Sequence, residues 1–178
     1  MRAIVFTLTL LLSTVSAAGQ IDRLLDQFFS PAEMEYCNTA HQAEYMTVAE
    51  QQFLQYLNLA RIYPAKFAEF YLAYLKEYDP DGLRKYKRRN RYYYGLYKDL
   101  TKLPEAHQTL LLPDPQMFQL AACWAKESGR RGKTGHKRRR CTDGYDAECY
   151  SYIGSQKAMD HLILLLVDED IRDLGHRK

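Results

Sequence analysis

Residues 47–78 read TVAEQQFLQYLNLARIYPAKFAEFYLAYLKEY, and this stretch carries the clearest helical signals of the chain. Thr47 and Glu50 form a capping-box pattern, in which each side chain accepts a hydrogen bond from the backbone N–H of the other residue. Apolar residues then recur at helical spacing up to Pro64, which suits the first turn of a second helix that runs to Tyr78. The stretch therefore predicts two consecutive helices, each with one buried face.

Helical patterns also lie on both sides of this pair. Residues 21–29 carry an apolar stripe at helical spacing, and Ser30-Pro31 is predicted to end that helix. Asp114-Pro115 has the residues of a helix start, with aspartate as the cap and proline at the first helical position. The helix that follows is predicted to end at Gly129 and to bury Met117, Leu120, Ala121 and Trp124.

The C-terminal third mixes loop, strand and helix signals. Residues 132–144 are rich in glycine and charge and predict a loop. Polar and apolar side chains partly alternate along residues 148–153, which predicts a short strand. Ser155 is predicted to cap a last helix that runs to about Val167. Neither an internal repeat nor a linker divides the chain, so its 178 residues suit one domain.

Positive charge is concentrated in two segments. Residues 84–98 hold seven Lys or Arg and no acid, interleaved with five tyrosines, and follow a turn signal at 79–82. The apolar residues of this segment follow neither a helical nor a strand period, so it is predicted to form a surface loop or a short irregular helix. Residues 130–140 hold another seven Lys or Arg and no acid. Such segments bind polyanions or are solvated surfaces, and an exported chain favours anionic glycan or lipid headgroups over nucleic acid.

The N-terminus has the pattern of a secretory signal peptide. Met1-Arg2 is followed by an apolar run at 3–12 and by small residues at 13–19. The run is too short to span a bilayer, which takes roughly 20 apolar residues. We expect cleavage at about residues 17–19 and a secreted or extracytoplasmic product with no transmembrane segment.

Four cysteines in an exported chain predict two disulfides, for which three pairings exist. Cys141 and Cys149 flank a turn, which favours that local bridge together with one between Cys37 and Cys123. A zinc site made of the four thiolates is the alternative. It is disfavoured because no Cys-x-x-Cys pair is present.

Two histidines, each preceded by glycine, bracket an acidic residue that precedes a cysteine. The segments are Gly135-His136, Glu148-Cys149 and Gly175-His176. Histidine and carboxylate side chains ligate divalent metals or transfer protons. The three segments are therefore the candidate site. A nucleophile motif, a phosphate-binding glycine loop and a His-Glu-x-x-His motif are all absent from the sequence.

The order of these motifs resembles bacterial members of the CAP superfamily, the cysteine-rich secretory and pathogenesis-related proteins that carry the SCP domain. The resemblance covers roughly residues 43–178. It is carried by Asn58-Leu59-Ala60-Arg61, Pro64, Phe67-Ala68, Leu120-Ala121-Ala122, Trp124-Ala125, Gly135-His136, Ala147-Glu148-Cys149, Ala158, Leu165, Asp168 and Gly175-His176-Arg177. It implies a signal peptide at 1–19, an N-terminal extension at 20–42 and a CAP/SCP-like domain at 43–178.

The resemblance implies an α+β fold, the α-β-α sandwich of the family, helix-rich and without its later strands, since the family continues past the second histidine. It also implies a cleft tetrad of two histidines and two acids. The tetrad would comprise His136, Glu148, Asp168 and His176, with Glu169 as the alternative to Asp168. The histidines would hold zinc or another divalent metal, while the acids would hold nearby water or orient the rings. Cys149 departs from the asparagine that is usual beside the glutamate.

Three functions remain open on this reading. The first is a binding protein whose cleft holds a divalent metal and an extracellular ligand, with lipid as the class that the resemblance suggests. The second is a metal-assisted hydrolase in which the same tetrad activates water. The third is a non-functional, truncated paralogue, for which an incomplete sheet would expose an unpaired edge.

Overall fold

Helices form all the regular structure that the chain shows in its described parts. The structure, a computed structural model, describes residues 17–104, 109–135, 141, 149 and 151–177, and these contain no β-strand. The helices are α1 (Ala17–Leu25), α2 (Pro31–Cys37), α3 (Val48–Ile62), α4 (Pro64–Tyr78), α5 (Pro80–Lys87), α6 (Tyr93–Leu100), α7 (Pro115–Arg131) and α8 (Ala158–Val167), followed by a 3-10 helix at Gly175–Arg177.

Local signals set the boundaries of α3 and α4 as predicted. The Thr47 side chain accepts from the Glu50 amide, and the Glu50 carboxylate accepts from the Thr47 amide at 2.7 Å. The two bonds satisfy amides that the first turn of a helix leaves unpaired. Pro64 occupies the first turn of α4, where its missing N–H costs nothing. The prediction of two consecutive helices is confirmed.

The core is built around α4. Its Phe67, Phe70, Tyr71 and Leu75 side chains are fully buried. Helix α4 packs against α1, α3, α5 and α6, while α3 also packs against α2 and α8. Helix α8 contributes a strongly apolar face to the same cluster, and its buried residues are Ala158, Met159, Leu162, Ile163 and Val167.

The prediction of an α+β sandwich is wrong for the described residues, which form an all-α arrangement. The apolar faces of α3 and α4 are covered by other helices, chiefly α1, α6 and α8, so helices take the place that a sheet would need. The strand predicted at 148–153 is absent at Cys149 and at 151–153. Instead, the Ser151 hydroxyl hydrogen-bonds the His161 ring on α8 at 2.7 Å.

The basic, tyrosine-rich segment forms α5 and α6, so of the two predicted alternatives the short helix holds and the surface loop does not, and the turn predicted at 79–82 is the start of α5. Asp79 caps α5, and its carboxylate accepts from the Gly82 amide at 2.9 Å. A Cβ atom at Gly82 would lie 2.2 Å from Asp79 Oδ2 and 2.7 Å from the Tyr93 ring, so this start requires glycine. Helix α6 then buries Leu96 and Leu100 in the core, which anchors the segment.

Three predicted helix ends are also displaced. Ser30 caps α2 with a second capping box, so it begins a helix rather than only ending one. Helix α7 passes Gly129 and ends before Gly132, which adopts a left-handed conformation with φ 56°. Helix α8 begins after Lys157, while Ser155 instead donates to the Asp160 carboxylate at 2.5 Å. The predicted buried face of α7 is confirmed only at Trp124, which is 2% exposed, whereas Met117 and Ala121 are exposed and Leu120 is half-buried.

The favoured disulfide pairing is wrong, because Cys123 on α7 pairs with Cys141. Cys37 lies at the end of α2 with no exposed surface, enclosed by the core cluster, and is a free thiol. Cys149 is also free, and it is exposed. Cys37 therefore cannot meet Cys123 without opening the core. One disulfide is compatible with an oxidising, extracellular compartment.

The described part of the chain begins with α1. Residues 1–16, which carry most of the predicted signal peptide, lie outside the described residues, and α1 begins at Ala17 within the expected cleavage window. Ile21, Leu24 and Leu25 pack into the core, so the residues after that window belong to the folded unit. Among the described helices, none combines the length and the apolar character needed to cross a membrane.

Buried tyrosines make the fold sensitive to alkali. Burial first, then the charge of Glu169, raises the pKa of Tyr93 to about 12, and burial also raises the pKa of Tyr71. An unfolded tyrosine loses its proton near pH ~10, so between about pH 10 and 12 the folded state binds more protons and its stability falls as pH rises. We expect the urea midpoint to drop from pH 8 to pH 10.5.

The Tyr71→Phe variant tests this prediction, because it removes one buried phenol. Its urea midpoint should fall less steeply with pH than that of the wild type. Tyr45→Phe, at an exposed ring, is the control and should follow the wild type. A wild-type midpoint that stays constant up to pH 10.5 would contradict the prediction.

Candidate functional site

Asp168 and His176 are brought together at the end of α8. Asp168 terminates the helix in a left-handed conformation with φ 57°, which turns the chain back towards the helix end. The 3-10 helix Gly175–Arg177 then places His176 against it. The His176 amide donates to Asp168 Oδ2 at 3.1 Å, and ring Nδ1 lies 2.5 Å from Asp168 Oδ1. Two of the four predicted tetrad residues therefore form one hydrogen-bonded pair.

This pair orients the imidazole ring. The Asp168 side chain is 1% exposed and accepts through both oxygens, so Nδ1 of His176 carries the hydrogen. The neutral ring then keeps a lone pair on Nε2. A carboxylate that fixes the tautomer of a histidine in this way is typical of metal-binding and proton-transferring histidines. His176 can thus offer one nitrogen to a metal ion or accept one hydrogen bond.

Arg177 fixes the backbone beside His176. Its guanidinium donates to the carbonyl oxygens of Leu166, Val167 and Tyr92, each at 2.6 Å, and to Asp99 Oδ2 at 3.1 Å. The Leu166 and Val167 carbonyls belong to the last turn of α8, where no backbone N–H of the helix is available to donate to them. The residue thereby ties the 3-10 helix to α8 and α6, and sequence reasoning did not assign it this role.

Glu169, the alternative member of the tetrad, lies against another partner. Its two carboxylate oxygens are 2.6 and 2.7 Å from Lys85 Nζ, and Oε2 also accepts from the Tyr93 hydroxyl at 3.2 Å. The hydrogen bond from Lys85 to Glu169 raises the pKa of Lys85. Glu169 therefore links the C-terminal segment to α5 and α6, while Asp168 holds His176.

The other two predicted tetrad members, His136 and Glu148, lie outside the described residues. Their described neighbours are Gly135, whose amide donates to the Tyr152 hydroxyl at 3.1 Å, and Cys149. Partial desolvation and, after it, the negative charge of Asp168 raise the pKa of the Cys149 thiol. The chain next to Glu148 therefore passes within electrostatic range of the Asp168–His176 pair.

Two cavities lie near these groups. The larger, about 600 Å³, is lined by α7 and by Cys149, Ser151 and Tyr152, and the walls that belong to described residues contain neither Asp168 nor His176. The smaller, about 110 Å³, lies between α3, α6 and α8 and is lined by His176 together with Arg61. We call the smaller one the His176 cavity. Sequence reasoning noted Arg61 only as part of a family-like motif, and its place in a cavity depends on packing that the sequence does not display.

His161 holds the loop before α8. Its Nδ1 lies 2.7 Å from the Ser151 hydroxyl and its Nε2 lies 2.8 Å from the Ser155 carbonyl oxygen. Since that carbonyl can only accept, Nε2 carries the hydrogen and Nδ1 accepts from Ser151. The ring thus joins residues 151 and 155 to the first turn of α8.

The basic segment is divided between internal and exposed roles. Lys85 is bound to Glu169, and Arg91 donates to the Arg172 carbonyl at 2.8 Å. Lys87 and Arg88 are exposed beside a surface depression of about 290 Å³. Anionic glycan or lipid as a partner for this surface stays a prediction.

Zinc or another divalent metal at this site stays a prediction. In the parts of the chain that the structure describes, no group of three or more His, Cys, Asp or Glu side chains could hold a metal ion. His176 contributes one oriented nitrogen, so a complete site would need His136.

No family model, curated protein or solved structure matches this chain. The resemblance to the CAP superfamily therefore stays a prediction.

Proposed function

We propose that this chain is an exported binding protein whose ligand site is centred on His176. The observation that carries the proposal is the Asp168–His176 pair. Burying a carboxylate is costly, yet Asp168 is almost fully buried and uses both oxygens to hold one histidine residue. That histidine lines a cavity, so the orientation serves a group that a ligand can reach. The apolar N-terminus and the disulfide support export.

A divalent metal is the first ligand to test. A neutral imidazole held by a carboxylate suits zinc, and Nε2 of His176 would be the ligand atom while Asp168 would orient the ring. His136 would supply the second nitrogen, and Glu148 would hold water near the ion. A bound ion would polarise a ligand placed beside it. Two protein nitrogens leave coordination positions open, so we expect modest affinity.

Zinc titration by calorimetry on the oxidised chain, with folding checked by circular dichroism, tests this proposal. We expect saturable binding that is lost in His176→Ala and in His136→Ala, and that is weakened about 10–100-fold in Asp168→Asn because the ring loses its orienting partner. His41→Ala is the matched control. The ring of His41 is exposed and bonded only to the Asn38 carbonyl, so this variant should bind zinc as the wild type does.

Other results would redirect the assignment. Absence of zinc binding by a folded wild-type chain, or equal binding by the His176→Ala variant, would refute the metal site. Hydrolytic turnover that disappears in His136→Ala with the fold intact would support the metal-assisted hydrolase. A chain that fails to fold under oxidising conditions would support the decayed paralogue.

A further inference from the structure

The His176 cavity has apolar walls and a positively charged rim. Its apolar lining comes from α3, α6 and α8 and from residue 103, and includes Leu57, Leu96, Leu100, Leu103 and Leu166. Its charged lining consists of Arg61, Arg177 and Asp99. With His176 neutral, two guanidinium groups face one carboxylate, and the cavity lining carries a net charge of +1. An anion with an apolar part complements this combination.

Arg61 is the charged group that has donors to spare. Its Nε atom is buried and has no hydrogen-bond partner among the described residues, where one Nη atom makes a long bond of 3.4 Å to the Thr109 carbonyl. By contrast, Arg177 already donates to three carbonyls and to Asp99. Arg61 rather than Arg177 therefore has N–H groups left to donate to a ligand.

We infer that the His176 cavity binds a short-chain monocarboxylate, with Arg61 as its anchor. The inference rests on the proposed function, because it names the ligand class of the same site. The two Nη atoms at the outer edge of the Arg61 guanidinium match the two oxygens of a carboxylate, while Nε is too deeply buried to be reached. His176, which lines the same cavity, would be a second polar contact beside the anion. The leucine walls take the alkyl chain.

The size of the cavity limits the ligand. Its 110 Å³ corresponds to the volume of about four water molecules in the liquid. Propionate or butyrate suits this space. Inorganic phosphate has no apolar part to bury against the leucines, so it should bind more weakly than a carboxylate of similar size.

Calorimetry with butyrate in the presence of EDTA tests the inference apart from the metal. We expect saturable binding that is at least tenfold tighter than that of phosphate or of 1-butanol, since phosphate lacks the alkyl chain and butanol lacks the charge. Arg61→Gln and Arg61→Lys should each weaken butyrate binding at least tenfold. Glutamine removes the positive charge, whereas lysine keeps the charge but cannot donate two parallel hydrogen bonds to the carboxylate. Arg84→Gln is the control, since Arg84 is exposed and pairs only with Asp81.

Contacts in the wild type provide a test that needs no variant. Butyrate protons should show intermolecular nuclear Overhauser effects to the methyl groups of Leu96 and Leu166. Zinc binding without butyrate binding would overturn the inference and leave the proposed function intact, while the absence of both would overturn both. Equal affinity for phosphate and butyrate, or unchanged affinity in a folded Arg61→Gln variant, would also overturn it.

Discussion

Replacing Asn58 with leucine should lower the free energy of unfolding by about 3–5 kcal/mol. Asn58 has no exposed surface, and its amide nitrogen donates to the Cys37 carbonyl, the Thr39 hydroxyl and the Leu111 carbonyl at 3.0–3.2 Å. Its amide oxygen accepts from the Leu111 amide at 2.8 Å. Leucine has a similar volume but would remove all of these hydrogen bonds, each worth about 0.5–1.5 kcal/mol, and would leave the Leu111 amide unpaired at a cost of about 1–3 kcal/mol. The Cys37 carbonyl would keep the Thr39 amide, and the Leu111 carbonyl would keep the Thr39 hydroxyl.

Urea unfolding, followed by circular dichroism and by the fluorescence of the single tryptophan, measures this change. Gln55→Leu is the matched control on the same helix, because Gln55 makes one hydrogen bond, to the Met34 carbonyl at 2.9 Å. We expect it to cost about 1 kcal/mol. If the two variants lost equal stability, Asn58 would not be the anchor that joins α3 to the segments at 37–39 and 111.

Replacing Arg177 with methionine should lower the free energy of unfolding by about 3 kcal/mol. The Arg177 side chain is 8% exposed and donates to the Leu166 and Val167 carbonyls, which have no partner within α8, and to the Tyr92 carbonyl, which also accepts from the Leu96 amide at 2.9 Å. Methionine keeps the aliphatic packing and removes every donor. The loss should appear as a lower urea midpoint with an unchanged dependence on urea, since the unfolded chain exposes the same surface.

Arg84→Met is the control for this variant. Arg84 and Asp81 have exposed side chains 3.2 Å apart, and such surface pairs contribute about 0–1 kcal/mol. A similar loss in both variants would show that removal of a surface charge, rather than loss of the Arg177 hydrogen bonds, accounts for the effect.

The parts of the fold that could be predicted are those whose signals are local. The capping box at Thr47 and the proline at position 64 act within one turn, so α3 and α4 follow from the sequence. The Asp-Pro-Asp-Gly run at 79–82 is ambiguous, because an aspartate that accepts from a nearby amide serves a turn and a helix cap equally well. Only the burial of Leu96 and Leu100 decides for helices, and burial is a tertiary property.

The sheet and the disulfide pairing failed for a different reason. The sheet came from the resemblance rather than from strand patterns in the residues. The pairing relied on distance along the sequence, whereas Cys37 is enclosed by the core and Cys123 lies on α7, away from that cluster. Sequence separation does not reveal which helix face a thiol occupies.

For the candidate site, the sequence supplied residue types but only part of the geometry. Asp168 and His176 were predicted to share a site, and the left-handed turn at Asp168 brings them together. That conformation is uncommon for aspartate and leaves no sequence signal as clear as a glycine would. Arg61 was not recognised, because an unpaired buried donor is visible only once its neighbours are placed.

The position of α8 affects how the chain can fold while it is being made. Helix α8 fills the side of α3 that the N-terminal helices leave open, yet it is synthesised after all of them. A ribosome adds about 5–20 residues per second, so the apolar faces of α3 and α4 stay uncovered for several seconds before residue 167 emerges. The core can therefore close only once residue 167 has left the ribosome.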